Sequence, residues 1–279
     1  MASQSASRFS GQSNFNHNKI LNSSVNIWFI SLVFAQIFFV AYLVLGYGMS
    51  TMNLDISNWN TFNKSAYIEG DGAGNIMYGV HVLFAIIMLI GGNLQLIPQI
   101  RQRYTRFHRY NGRLFVCLAC VVSIAGIYLI LFRGTVGNAV LHGLTLFGGV
   151  VVLLSSLFAV WHARKRDFLR HQIWATRLFL AANGVLFFRL IMFAWLMLFG
   201  TVGIEMKTFT GPTVLTISIF SYVMPLVIYE IVRYAKTTQN EILKLVSSLG
   251  LLSISLVFIT GLFSIAMSNW IPSVVASFG

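Results

Sequence analysis

The chain has 279 residues, 57% of them hydrophobic and 9% charged, with a formal net charge of +12. That balance excludes a soluble globular domain and points to an all-α, polytopic membrane helical bundle. It does not read as a nucleic-acid surface, because the cations gather in short turns between apolar runs, where membrane topology needs them.

Residues 1–25 are polar and show neither the apolar core nor the cleavage site of a signal peptide. Seven apolar segments follow, at roughly 26–50, 74–99, 112–132, 138–162, 172–200, 211–234 and 245–268. Each is long enough to cross ~30 Å of hydrocarbon. The expected organisation is a cytoplasmic tail (1–25), one transmembrane domain (26–268) and an outer tail (269–279). Hairpins 74–132 and 138–200 form a four-helix core.

The turns alternate in charge. The turn after span two carries Arg101, Arg103, Arg106, Arg109 and Arg113. The turn after span four carries Arg164, Lys165, Arg166, Arg170 and Arg177, and that after span six Arg233, Lys236 and Lys244. The opposite loops hold Lys64, Lys207, Asp55, Glu69, Asp71 and Glu205. Positive-inside bias therefore puts the N-terminus in the cytoplasm and the C-terminus outside. Loop 51–73 is the longest outer segment, polar and placed to cap the outer face.

The core hairpins read as a repeat. His81 is followed 27 residues later by His108 and then by Arg113-Leu-Phe; His142 is followed 29 residues later by His171 and then by Arg177-Leu-Phe. His81 and His142 fall at an outer level and His108 and His171 at an inner one, about 27 Å apart at 1.5 Å per residue. Ionisable residues within spans normally face the bundle interior. Two imidazoles from facing helices at each level are the axial donor set of a b-type haem. Two haem b groups are thus expected, one on His81 and His142, one on His108 and His171. Arg133 and Arg189, near the outer ends of spans three and five, need anionic partners, and no acid lies in the neighbouring spans at that level. Haem propionates would suit them. Arg113 and Arg177 join them as cofactor-binding candidates.

Other features have plainer readings beside the functional ones. Gly91-Gly92 and Gly148-Gly149 either make room for a macrocycle or let helices pack closely. Asn93, Gln95 and Gln99 bridge helices in preference to holding a quinone head. His162 is a substitute for His171, and His17 is solvated. Cys117 and Cys120 form CxxC with no histidine after it, so they read as small buried packing residues.

Segments "HVLFAIIMLIGGNLQLIPQIRQRYTRFHRYNGRLF" and "RKRDFLRHQIWATRLFLAANGVLFFRL" carry a family likeness. They resemble a bacterial multi-pass membrane family of unknown function, with its histidine, Q-x-x-P-x-x-R helix end, HRxxGR turn and R-D-x-x-x-H-x-x-W segment. The match falls on His81, Gln95, Pro98, Arg101, His108, Arg109, Gly112, Arg113, Arg166, Asp167, His171, Trp174, Arg177 and Arg189. The sequence departs from it at Ala175 and Gln172. The resemblance implies a bacterial inner (plasma) membrane location and no particular activity. By architecture alone, the arrangement is similar to the ascorbate-reducible di-haem cytochromes b. That similarity implies transmembrane electron transfer between a membrane or cytoplasmic donor and an outer acceptor. Membrane lipid, a quinone or redox partner protein and a larger membrane complex are the implied partners. The competing reading is a non-redox transporter or scaffold subunit whose histidines bind protons or metal.

Overall fold

A computed structural model of the chain describes residues 2–134 and 137–277, with side chains from residue 17 onward. The side chain of Arg8 in the polar tail and the last two residues of the outer tail lie outside the described residues. Twelve α-helices follow in order: α1 (Ala2–Leu43), α2 (Met49–Met52), α3 (Gly72–Leu96), α4 (Pro98–Arg103), α5 (Thr105–Phe132), α6 (Ala139–Arg164), α7 (Phe168–Ala182), α8 (Gly184–Phe199), α9 (Pro212–Tyr222), α10 (Met224–Ala235), α11 (Glu241–Ile265) and α12 (Ile271–Ala276). Among the described residues there is no strand beyond one isolated bridge between Glu205 and Thr210.

Helix starts are written in the sequence. Asp71, Asn138, Asp167 and Asn240 precede α3, α6, α7 and α11, and each side chain accepts the N–H three residues on. Pro98 and Pro212 open α4 and α9, where a missing N–H costs nothing.

Five helical segments are long and apolar enough to cross a membrane, and seven spans result if two bent pairs each count as one. The bent pairs are α7–α8 (49°) and α9–α10 (46°), which fall where spans five and six are expected from sequence. Both breaks have local causes. Asn183 ends α7 and turns its amide back onto Phe179 O at 2.8 Å, and Gln36 of α1 donates to its Oδ1 at 2.6 Å. In α9–α10, Pro225 cannot donate to Ser221 O and crowds it, so the helix restarts after Val223.

The arginine-bearing turns, around 97–113 and 164–170, define one end of the bundle, called the basic end here; the opposite end is the far end. Within the core, α3 packs on α5, α6 on α7, and the two hairpins meet through α5 and α6. Surrounding them, α1 lies against α3 and α11, and α11 against α8. Gly261 makes the last contact possible: a Cβ there would lie 1.9 Å from Leu190 O. His17, expected to be solvated, is half-buried with Nδ1 3.7 Å from Glu241. Cys117, read as a buried packing residue, is exposed on α5, with Cys120 half-buried; neither is in a disulfide. On a helix in lipid, an outward-facing thiol is as comfortable as a buried one.

Loop 51–73 folds down onto the far end. Its short 3₁₀ turn Ile56–Thr61 inserts Trp59, only 5% exposed, whose Nε1 donates to Tyr47 O at 3.3 Å. Tyr47 belongs to a π-helical turn, Val44–Gly48, and a second π turn, Ala266–Trp270, brings Trp270 against Phe39 and Tyr42 at 5.4 Å.

Candidate functional site

His81 sits nine residues into α3, roughly 14 Å from its far end. Its Nδ1 lies 2.9 Å from Val122 O on α5. A carbonyl only accepts, so Nδ1 carries the hydrogen and Nε2 is left for another partner. Gly126 makes room for this ring, since a Cβ there would come within 3.0 Å of it. The ring lines an interhelical cleft of ≈ 90 Å³ walled by small residues of the core helices, among them Ser123, Gly126, Gly148, Gly149, Ala181 and Ala182. Tyr222, at the α9–α10 break, closes one side, with Thr145 Oγ1 3.3 Å from its hydroxyl. Gly148 and Gly149 therefore border open space as well as packing on Tyr222 and Ile127, whereas Gly91 and Gly92 are filled by Asn111, Phe115 and Phe179. His142 is one turn above Thr145 on α6 and is not part of the cleft wall.

The two candidate arginines of the far half differ. Arg133 is 6% exposed by side chain, and Asp71 is its acid partner: Nε donates to Asp71 Oδ2 at 2.7 Å. Its Nη1 bonds Ser65 O and Ala66 O, and its Nη2 bonds Asn75 Oδ1. The carboxylate comes from the loop preceding α3, outside the neighbouring spans. The Arg133 guanidinium and the Gly74 N–H hold the Asp71 carboxyl below its ordinary value of 3.8. Arg189, on α8, has no acidic partner among the described residues. Its guanidinium carbon lies 5.3 Å from the Phe39 ring centre, within electrostatic reach of Tyr42, Tyr47, Tyr78, Tyr222 and His81.

At the basic end His108 and His171, near the starts of α5 and α7, lie within electrostatic reach of one another. His171 Nδ1 is 2.9 Å from Ala159 O on α6, the same arrangement as His81 with Val122. His108 Nδ1 is buried with no hydrogen-bond partner. His162 is 5% exposed, its Nδ1 3.4 Å from Asp167 Oδ2. Gln95 Nε2 donates to His108 O, so it bridges helices as expected, but the buried Oδ1 of Asn93 has no partner. Ser155 and Ser156 Oγ on α6 are buried and unpartnered as well. Arg113 stacks near Tyr110 at 5.7 Å, while Arg177 lies over Trp174 at 4.4 Å and donates through Nε and Nη2 to Glu230 Oε1.

Four participants escape a reading of the sequence: Asp71 as Arg133's partner, Glu230, Tyr222 and the Gln36–Asn183 bridge. Glu230 is an acid inside an apolar span, and that alone could have drawn notice. Among the described residues no group of three or more His, Cys, Asp or Glu is placed to hold a metal ion.

These features define a helical membrane protein in which His81 lines a cleft between the core helices. The chain belongs to the family described as predicted membrane protein (DUF2306), whose model matches residues 78–232, more than half of its length. All eight residues singled out above as ligand or propionate candidates fall inside that match. No curated protein and no solved structure matches the chain.

Proposed function

We propose that this is a b-type haem protein that carries electrons across a bacterial inner membrane, with its N-terminus in the cytoplasm. The observation that carries the reading is the shared state of His81 and His171. Each has Nδ1–H fixed on a main-chain carbonyl of the neighbouring helix, leaving Nε2 as the donor atom, which is how metal-bound histidines are usually held. At the basic level the proposed donors are His108 and His171, which come from different hairpins and lie within electrostatic reach of one another, and His108 has a buried nitrogen without a partner. At the far level His81 fits, with His142 as its proposed partner, but a cavity of ≈ 90 Å³ is smaller than a tetrapyrrole. Holding one there requires α5 and α6 to part along their small-residue faces. A bound haem supplies a one-electron couple at its iron. The chain's own contributions are the imidazoles, a low-dielectric core and charge. Arg189 would hold a carboxylate, and the arginines of the basic end favour the reduced form there. The likeness to ascorbate-reducible di-haem cytochromes b enters this proposal as analogy alone.

The test is a pyridine haemochrome assay and visible spectrum on protein purified from haem-replete cells, with about two haems per chain expected from two ligands per iron. His108→Ala and His171→Ala should remove the same haem; Gly126→Leu, which fills the space beside His81, should remove only the other. A colourless, folded preparation overturns the reading.

A second reading has its own observation. Both broken spans meet Tyr222 beside the cleft, as its ring packs on Gly184 at the α7–α8 break. Discontinuous helices around a buried cavity are a feature of transporters. In that case the purified protein is colourless and His81 variants change proton or ion flux in vesicles.

A further inference from the structure

The cations of the basic end divide into two sets. In the later turns Arg170 lies 3.6 Å from Asp167, and Arg177 and Arg233 share Glu230 at 2.7 and 2.6 Å, while Arg164, Lys165 and Arg166 are exposed with no acid partner among the described residues and no run of aromatic rings between them. The five arginines of the first turn, Arg101, Arg103, Arg106, Arg109 and Arg113, are all exposed, and among the described residues none pairs with an acid. The turn is built to display them. Pro98 ends α3 and opens the six-residue α4, Tyr104 breaks the chain again at φ −119° and ψ 58°, and α5 begins. Between the arginines stand Tyr104, Phe107 and Tyr110, which are 57%, 48% and 69% exposed. Arg103 lies over Tyr104 at 5.8 Å and Arg113 over Tyr110 at 5.7 Å, so rings and guanidinium groups form one interleaved surface.

We propose that this turn binds the phosphate headgroups of anionic phospholipids in the adjacent leaflet. Guanidinium forks match phosphate oxygens in pairs. Aromatic side chains at the end of a span sit at headgroup depth, with ring in the acyl boundary and hydroxyl in the headgroup layer. A dissolved anion or an acidic protein would meet the arginines but has no use for exposed Phe107 at that depth. Basic residues beside a membrane each add roughly fivefold to attraction for an anionic surface. The set with internal carboxylates is already neutralised and contributes less.

The whole chain is placed in nanodiscs of phosphatidylcholine alone and of phosphatidylcholine with a minor fraction of phosphatidylglycerol. Its thermal midpoint is read, and phosphatidylglycerol retained on the released protein is counted by native mass spectrometry. Expected results are a higher midpoint with phosphatidylglycerol and selective retention of that lipid by the wild type. Replacing Arg101, Arg103, Arg106 and Arg109 together by glutamine should lower retention by about tenfold or more. Replacing the carboxylate-paired Arg170 and Arg233 by glutamine should leave most of it. If the fourfold variant fails to fold, the wild type's preference for phosphatidylglycerol over phosphatidylcholine still decides, and Arg106→Lys with Arg109→Lys should give partial loss. Equal loss in both glutamine variants, no preference in the wild type, or an equal midpoint rise from inorganic phosphate in phosphatidylcholine discs overturns the proposal.

Discussion

The two ends of the bundle are finished differently. At the far end polar groups are answered: Arg133 bonds Asp71, Ser65, Ala66 and Asn75, Tyr47 bonds Tyr78, and Trp59 is driven into the gap between them. In the basic half Asn93, His108, Ser155, Ser156 and Ser247 each bury a polar atom without a partner. Mid-membrane, only Gln36 Oε1 joins that set among the described residues. An unanswered polar atom away from water costs about 1–3 kcal/mol, so the basic half gives up stability that the far end keeps. The contrast assigns holding the fold to the far end and meeting something else to the basic half.

The strongest way to break this contrast is at the far end. Trp59→Ala removes a fully packed indole and should cost about 3–5 kcal/mol, read by thermal unfolding in a fixed detergent. A loss below 1 kcal/mol would mean the loop is not part of the folded core. Acidification should act at the same place. A carboxyl whose folded value is depressed stabilises fully above its ordinary value of 3.8, and that contribution disappears as pH falls through the folded value. Proteolysis of loop 51–73 should therefore be unchanged from neutrality down to about pH 4 and rise below it, while Asp71→Asn should be cut faster at every pH. At the basic half the sign reverses. Ser155→Ala and Ser156→Ala delete unanswered hydroxyls and should leave stability unchanged or raise it by up to about 1 kcal/mol; a comparable loss would show that those hydroxyls are bonded. The smallest effect belongs to Glu230→Gln. Its two arginines are partly exposed, so the pair contributes only a few tenths to about 1 kcal/mol, and the midpoint should move little.

Much of this was legible in the order of residues. Seven apolar segments, their polar turns and the Asp or Asn before each of four helices mark the spans, and the histidines fall on four helices of one core. Local patterns report periodicity and capping, and those survive into the fold. Pairings across the sequence leave no such trace. Arg133 and Asp71 are 62 residues apart, and Arg177 and Glu230 are 53 apart. The α7–α8 bend hides inside an unbroken apolar run, because Asn183 acts through a carbonyl one turn back and through a glutamine on α1. Pro225 stands in plain sight, yet a proline within a span does not by itself declare a 46° break. Which polar atoms are left unanswered is a property of three-dimensional packing alone.

The seam between α1 and α11 has a consequence for how the molecule is made. Leu21 packs with Leu251, and Phe39 and Tyr42 with Trp270, so the chief neighbour of α1 is synthesised long after it, behind both core hairpins. Until then α1 must wait in the bilayer with its inward face turned to lipid or to a chaperone. Its buried glutamine, Gln36, has no partner before Asn183 has been synthesised. Maturation is thus tied to synthesis of α11: a nascent protein stalled before it holds both core hairpins but lacks the strap that closes them.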